Sequence, residues 1–178
     1  MKVTETKLKG CFIIEPTVFK DARGYFFESF NEEKFEAATG ASGHFVQDNQ
    51  SASTYGVIRG LHLQKGEHAQ AKLVRVIEGA VLDVCVDVRE GSETYGQWVS
   101  VELSAENNLQ LYIPRGFAHG FSVLTKTAVF AYKCDNGYNK ESEGGIRYND
   151  PTLGIDWGIP EDKQNVSEKD LVLPFFNA

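Results

Sequence analysis

The chain has 178 residues, 42% of them hydrophobic and 24% charged, which predicts one domain spanning residues 1–178 and excludes a disordered, collagenous or coiled-coil chain. Its 18 Lys and Arg stand against 25 Asp and Glu, a net charge of -7. Neutralising nucleic-acid phosphates over a broad face takes clustered excess Lys and Arg, so a nucleic-acid partner is excluded.

In chain order, the dominant hydrophobic period is two. Strands are predicted over 11–14 and 25–30, then a short helix over 31–38 with Asn31 as its cap and Phe35 as a lone apolar anchor. Strands over 44–48 and 56–63 follow. The runs Lys72–Ile77 and Val81–Val88, separated by Glu78-Gly79-Ala80, read as a hairpin. Trp98–Leu103 and Leu109–Ile113 alternate cleanly, and 117–124 and 128–134 complete the strands. The polar stretch 135–145 reads as a surface loop, and the part from Asp150-Pro151 onward as a segment wrapping the sheets. Ser167 opens a possible one-turn helix that holds Asp170. Many short strands without a βαβ rhythm predict an all-β sandwich or barrel with a few short helices.

Cys11, Cys85 and Cys134 are odd in number and lie far apart within apolar runs. They read as buried, reduced thiols, and the chain has no CxxC pair for a thiolate metal site. The N-terminus lacks the apolar core of a secretion signal, and no run approaches about 18 apolar residues. The expectation is a cytoplasmic protein without a membrane segment.

Polar residues at positions where alternation predicts burial are the informative ones. Asp83, Cys85 and Asp87 share one strand face; Phe130, Tyr132 and Cys134 share another, and His119 lies with Phe117 and Phe121. A barrel interior holding His, Tyr, Asp and Lys is a reactive cavity, although each such residue taken singly is as well explained by a hydrogen-bonded core. For His62 to bind a metal, a second His two positions on is wanted; position 64 is Gln, and His68 falls in a polar segment. Metal ligation is therefore disfavoured and proton transfer favoured. Arg23, Arg59 and Lys72 near turns make a local anion site possible within an acidic chain, gripped by side chains because no glycine-rich phosphate loop is present.

Six segments in order carry a family likeness: Phe19–Ser29, Phe45–Asn49, Val57–His62, Ala71–Val76, Ile113–Phe121 and Ser167–Asp170. Over nearly its whole length the chain resembles the dTDP-4-dehydrorhamnose 3,5-epimerases, nucleotide-sugar enzymes with a cupin-like jelly roll. The resemblance implies epimerisation of a dTDP-linked 4-keto-6-deoxyglucose at the two carbons flanking the ketone, with no redox or metal cofactor. It implies His62 as base, paired with Asp170, Tyr132 as acid on the opposite face, and Lys72 at the enolate oxygen. It also assigns Gln47, Asp48 and Asn49 to a nucleotide-binding stretch, and Arg23, Glu28, Arg59, His119, Glu143 and Lys169 to ligand-binding positions, with Tyr138 a further site residue. The family's homodimers imply an N-terminal strand region crossing to the partner, so that Arg23 and Glu28 serve the neighbouring site. Gly137, Arg147 and Tyr148 depart from the family pattern. Strict alternation places Arg59 and His62 on opposite faces, which a bulge at Gly60 reconciles. A single-centre epimerase, a non-catalytic sugar-nucleotide-binding jelly roll and a metal-dependent cupin are the competing readings.

Overall fold

The computed structural model describes residues 1–176. Its strands, in chain order, are β1 (Lys2–Glu5), β2 (Phe12–Glu15), β3 (Phe19–Asp21), β4 (Gly24–Phe26), β5 (Gln47–Thr54), β6 (Val57–Gln64), β7 (Lys72–Glu78), β8 (Ala80–Asp87), β9 (Trp98–Ser104), β10 (Gln110–Ile113), β11 (Phe117–Val123), β12 (Thr127–Cys134), β13 (Glu143–Gly145) and β14 (Asn165–Val166). Helix α1 (Glu32–Thr39) precedes β5, and α2 (Glu168–Leu171) follows β14. One sheet has the order β1-β2-β10-β7-β12-β5; the other has β13-β6-β11-β8-β9, with β14 parallel to β6. From β5 to β8 successive strands fall in alternate sheets, giving the antiparallel two-sheet jelly roll.

The alternation expected of half-buried strands sets the interior. Val74, Val76, Leu111 and Phe130 of one sheet face Val81, Cys85, Leu103, Phe117 and Phe121 of the other. The opposite side of the second sheet is also covered: Ile58, Leu61, Val84, Val86 and Ala118 pack under Ile146, Leu153 and Trp157. The C-terminal segment therefore wraps the sheets, as predicted, and β8 is buried on both faces. Helix α1 docks through Phe35, 2% exposed, whose ring meets Phe30, Phe45 and Tyr112. Asn31 caps it by accepting from the Lys34 amide at 3.0 Å.

Four local expectations need correction. β7 and β8 do not form a hairpin; they belong to different sheets. The chain crosses between sheets at Gly79, φ +75°, where a Cβ would strike the Thr127 carbonyl and the Thr125 hydroxyl, so the glycine serves a sheet-to-sheet corner. The predicted 25–30 strand ends at Phe26, which pairs with Phe19, the first residue of its partner β3, so the ladder has no residue left to extend it. The 44–48 strand begins at Gln47 and runs to Thr54, a polar stretch whose exposure alternates while its hydropathy does not. The 135–145 loop contains β13, which pairs with β6 through Glu143, Gly144 and Gly145.

Candidate active site

Strands β5, β6, β7 and β12 open at one end of the roll onto a cavity of about 320 Å³. Its lining brings together Gln47, Asn49, His62, Lys72, Tyr132, Tyr138 and Glu143. Period-two geometry explains the selection: Gln47 and Asn49 share a face of β5, and Asn49 stands opposite Tyr132 on β12. Lys72 starts β7, two strands from β5 across β12.

His62 reaches this face because β6 is irregular. Against β11, His62 pairs with His119 and Arg59 with Phe121, so Gly60 and Leu61 together oppose Gly120 alone. This bulge turns Arg59 and His62 to one side, as the glycine suggested. Gly60 has φ +118°, and a Cβ there would lie 2.6 Å from Gly120 Cα, so only glycine fits. The Gly60 amide, thus turned, donates to Asp170 Oδ2 at 3.2 Å.

Asp170 is supplied by α2, whose cap Ser167 accepts from the Asp170 amide at 3.1 Å. Its Oδ1 lies 2.7 Å from His62 Nε2. An ionised carboxylate only accepts, so the ring nitrogen facing it carries the hydrogen and the other keeps its lone pair. Burial pushes the Asp170 carboxyl upward, but His62, Gly60 and Ser167 outweigh burial and hold it below its ordinary value. Asp170 is 3% exposed, whereas the His62 side chain is 40% exposed: the carboxylate is sealed behind a ring that faces the opening.

The remaining groups are tuned by desolvation. Burial raises the Tyr132 phenol, with the nearby Cys134 adding to the rise and Arg59 opposing it, so this group keeps its proton at neutral pH. Burial lowers the Lys72 ammonium, against the pull of Cys134 and Asp83. Lys72 Nζ stands 6.0 Å from the Tyr132 ring centre. Beside them His119 Nε2 contacts both oxygens of Asp83, at 2.9 and 3.1 Å. Burial lowers the imidazole and raises the carboxyl, moving both partners toward neutrality.

Other predicted site residues lie elsewhere. Asp48 falls on the opposite face of β5 and pairs with Lys133 at 3.0 Å. Arg59 Nε donates to Ser53 Oγ at 3.1 Å. Arg23, on the β3–β4 ribbon, pairs with Asp21 at 2.6 Å, and Glu28 with Lys34 at 2.8 Å. Lys169 pairs with Glu143 at 2.8 Å, and of the two Glu143 lines the cavity. Gln64 and Gln70 also line it and were missed as site residues, although Gln64 lies two positions beyond His62. Arg147 stacks on Phe175, and the Tyr148 carbonyl accepts from Trp157 Nε1, which puts both away from the lining. No cluster of three or more His, Cys, Asp or Glu side chains suited to a metal occurs among the described residues.

Residues 5–178 match the family model described as dTDP-4-dehydrorhamnose 3,5-epimerase. The enzyme of that name from Salmonella typhimurium is 50% identical over 177 residues, covering 99% of this chain and 96% of its own. A crystal structure of dTDP-4-dehydrorhamnose 3,5-epimerase from Elizabethkingia anophelis superimposes with a TM-score of 0.96 at 66% identity, covering 99% of this chain and 96% of its own. That of the Legionella pneumophila dTDP-6-deoxy-D-glucose-3,5-epimerase, in complex with dTDP-4-keto-L-rhamnose, gives 0.91 at 47% identity, covering 99% of each chain.

Proposed function

Because the chain belongs to the dTDP-4-dehydrorhamnose 3,5-epimerase family, we propose that His62, Tyr132 and Lys72 perform its reaction and that Asp170 orients the base. The chain is an isomerase: it converts dTDP-4-dehydro-6-deoxy-D-glucose to dTDP-4-dehydro-L-rhamnose by inverting both carbons beside the ketone. A C–H beside a carbonyl is acidic because its conjugate base is an enolate. His62 takes this proton, and the half-buried Lys72 ammonium stabilises the charge developing on the ketone oxygen. Tyr132 returns a proton to the opposite face of the same carbon, which inverts it. Solvent then restores the proton on Tyr132 and removes the one on His62, and the second carbon follows. Enolate chemistry of this kind calls for no redox or metal group. The observation that carries the assignment is one cavity into which β6 brings an imidazole fixed by a buried carboxylate and the facing sheet brings a phenol that keeps its proton and a partly buried ammonium.

Gln47, Asn49, Tyr138 and Glu143 would bind the nucleotide sugar from the cavity lining, with Arg59, His119 and Lys169 beside it, whereas Asp48 faces away from the cavity toward Lys133. Arg23 and Glu28 would act in a second copy. The β3–β4 ribbon belongs to neither sheet and exposes Phe19 by 63% and Phe26 by 70%, which supports a homodimer in which this region crosses to the partner. Three free thiols support a cytoplasmic location, and no described helix is long and apolar enough to cross a membrane.

The test is dTDP-4-dehydro-6-deoxy-D-glucose and the protein in deuterated water, followed by NMR. Deuterium is expected at both carbons beside the ketone; label at one alone identifies a single-centre enzyme, and no label with intact dTDP binding identifies a binding module. His62→Ala is expected to slow exchange by about 10²-fold or more with dTDP affinity nearly unchanged. Exchange at the wild-type rate would remove His62 as the base.

A further inference from the structure

Gln64 ends β6 two positions beyond His62 and is 6% exposed. Its amide is committed in both senses, to the segment that follows it in the chain and to a second one more than 70 residues away. Nε2 donates to the His68 carbonyl at 2.7 Å and to the Gly137 carbonyl at 3.1 Å, while Oε1 accepts from the Asn139 amide at 2.7 Å. Two more amides extend the seam: Gln70 Nε2 donates to the Asn136 carbonyl at 2.8 Å, and Asn136 Nδ2 to the Glu67 carbonyl at 2.9 Å. Tyr138 sits between Gly137 and Asn139, both of which Gln64 holds. Its own amide donates to Gln47 Oε1 at 3.0 Å, and its side chain lines the cavity. Packing does little to fix this stretch: Tyr138 is 59% exposed, and a Cβ on Gly137 would meet nothing within 4 Å. The position of the aromatic ring at the cavity mouth therefore depends on hydrogen bonds: Gln64 holds Gly137 and Asn139 on either side of it, Gln47 holds the Tyr138 amide and Glu143 its side chain.

We propose that Gln64 is a positioning residue for substrate binding, holding the 136–139 segment and the 65–70 segment together so that Tyr138 is presented to the bound nucleotide sugar. The proposal rests on the epimerase reading for the identity of that ligand. Both ends of the amide are required. A glutamate of the same shape has no donor when ionised and would set its charge against two carbonyl oxygens, so Gln64→Glu releases both segments. Gln64→Met keeps the volume and loses all three bonds. Neither change touches the groups that move protons, so the loss falls on binding.

Steady-state kinetics, dTDP titration and backbone hydrogen exchange on the full-length protein test this. For Gln64→Glu and Gln64→Met, KM is expected to rise about 10-fold, with dTDP affinity falling in step and kcat held within about 3-fold. The amide of Asn139 is expected to exchange faster while those of β6 and β11 keep their protection. Asn136→Ala, at the outer seam, is expected to act in the same direction more weakly, and serves if the Gln64 variants fail to fold. A loss confined to kcat, or wild-type KM and wild-type exchange at Asn139, would overturn the proposal. Absence of turnover by the wild-type protein would count against the epimerase reading alone, because exchange at Asn139 reports the clasp without substrate.

Discussion

Asp170 has its charge fixed by three partners, and its depressed carboxyl gives that arrangement a measurable signature. Asp170→Asn keeps the shape and removes the charge that favours a protonated His62 after proton capture. Deuterium exchange is expected to fall by about 10²-fold, with dTDP affinity close to wild type; exchange at the wild-type rate would reduce Asp170 to a structural cap. Because the folded value lies below the unfolded one, the carboxylate contributes stability above the ordinary carboxylate range. That contribution is lost as the pH falls through the folded value, so the urea midpoints of wild type and variant should converge in acid. At this scale the broken metal motif at Gln64 pointed His62 to proton transfer, but its partners Asp170, Tyr132 and Lys72 were legible only through family resemblance, since strand alternation could nominate Tyr132 and His119 as interior but not distinguish a catalytic phenol from a packed one. Gln64 was illegible for a physical reason: its partner Asn139 is 75 residues away, and a side-chain amide announces no partner in sequence.

Among the elements, the apolar strands were read closely, because a half-buried strand must alternate. The connections were not. Glu78-Gly79-Ala80 has the length and the glycine of a hairpin turn, yet the same residues make a corner between facing sheets, and local sequence does not separate the two outcomes. What decides is tertiary: Thr125 Oγ1 accepts from the Ala80 amide at 2.9 Å, and the Thr127 carbonyl occupies the space a side chain would need. Gly79→Ala combines a left-handed backbone with that collision, and is expected to lower unfolding free energy by more than about 2 kcal/mol in urea titration. A loss below about 0.5 kcal/mol would mean that the corner relaxes freely. The polar strand β5 escaped hydropathy for a related reason. Gln47 and Asn49 face the cavity rather than a core, so the strand's period is carried by exposure.

For the molecule as a whole, the net charge of -7 describes the surface poorly at the distance of one ligand. Arg23, Lys133 and Lys169 are each held by a carboxylate; on the proposed reading, a bound diphosphate would compete for the last and recruit the first from a second chain. Subunit mixing tests that arrangement. His62→Ala and Arg23→Ala chains, each impaired alone, should regain about a quarter of wild-type activity when co-refolded, because random pairing completes one site in each mixed dimer. No recovery would place Arg23 in its own subunit's site or outside any site. The three thiols carry a different kind of information. Cys11 precedes β2, Cys85 lies in β8 and Cys134 ends β12, all fully buried, with the first two sulfurs 3.5 Å apart. A small alkylating reagent can reach them only when the roll opens, so their labelling rates form a built-in clock for breathing of the barrel, with Cys134 reporting on one sheet, Cys85 on the other and Cys11 on the entry to β2.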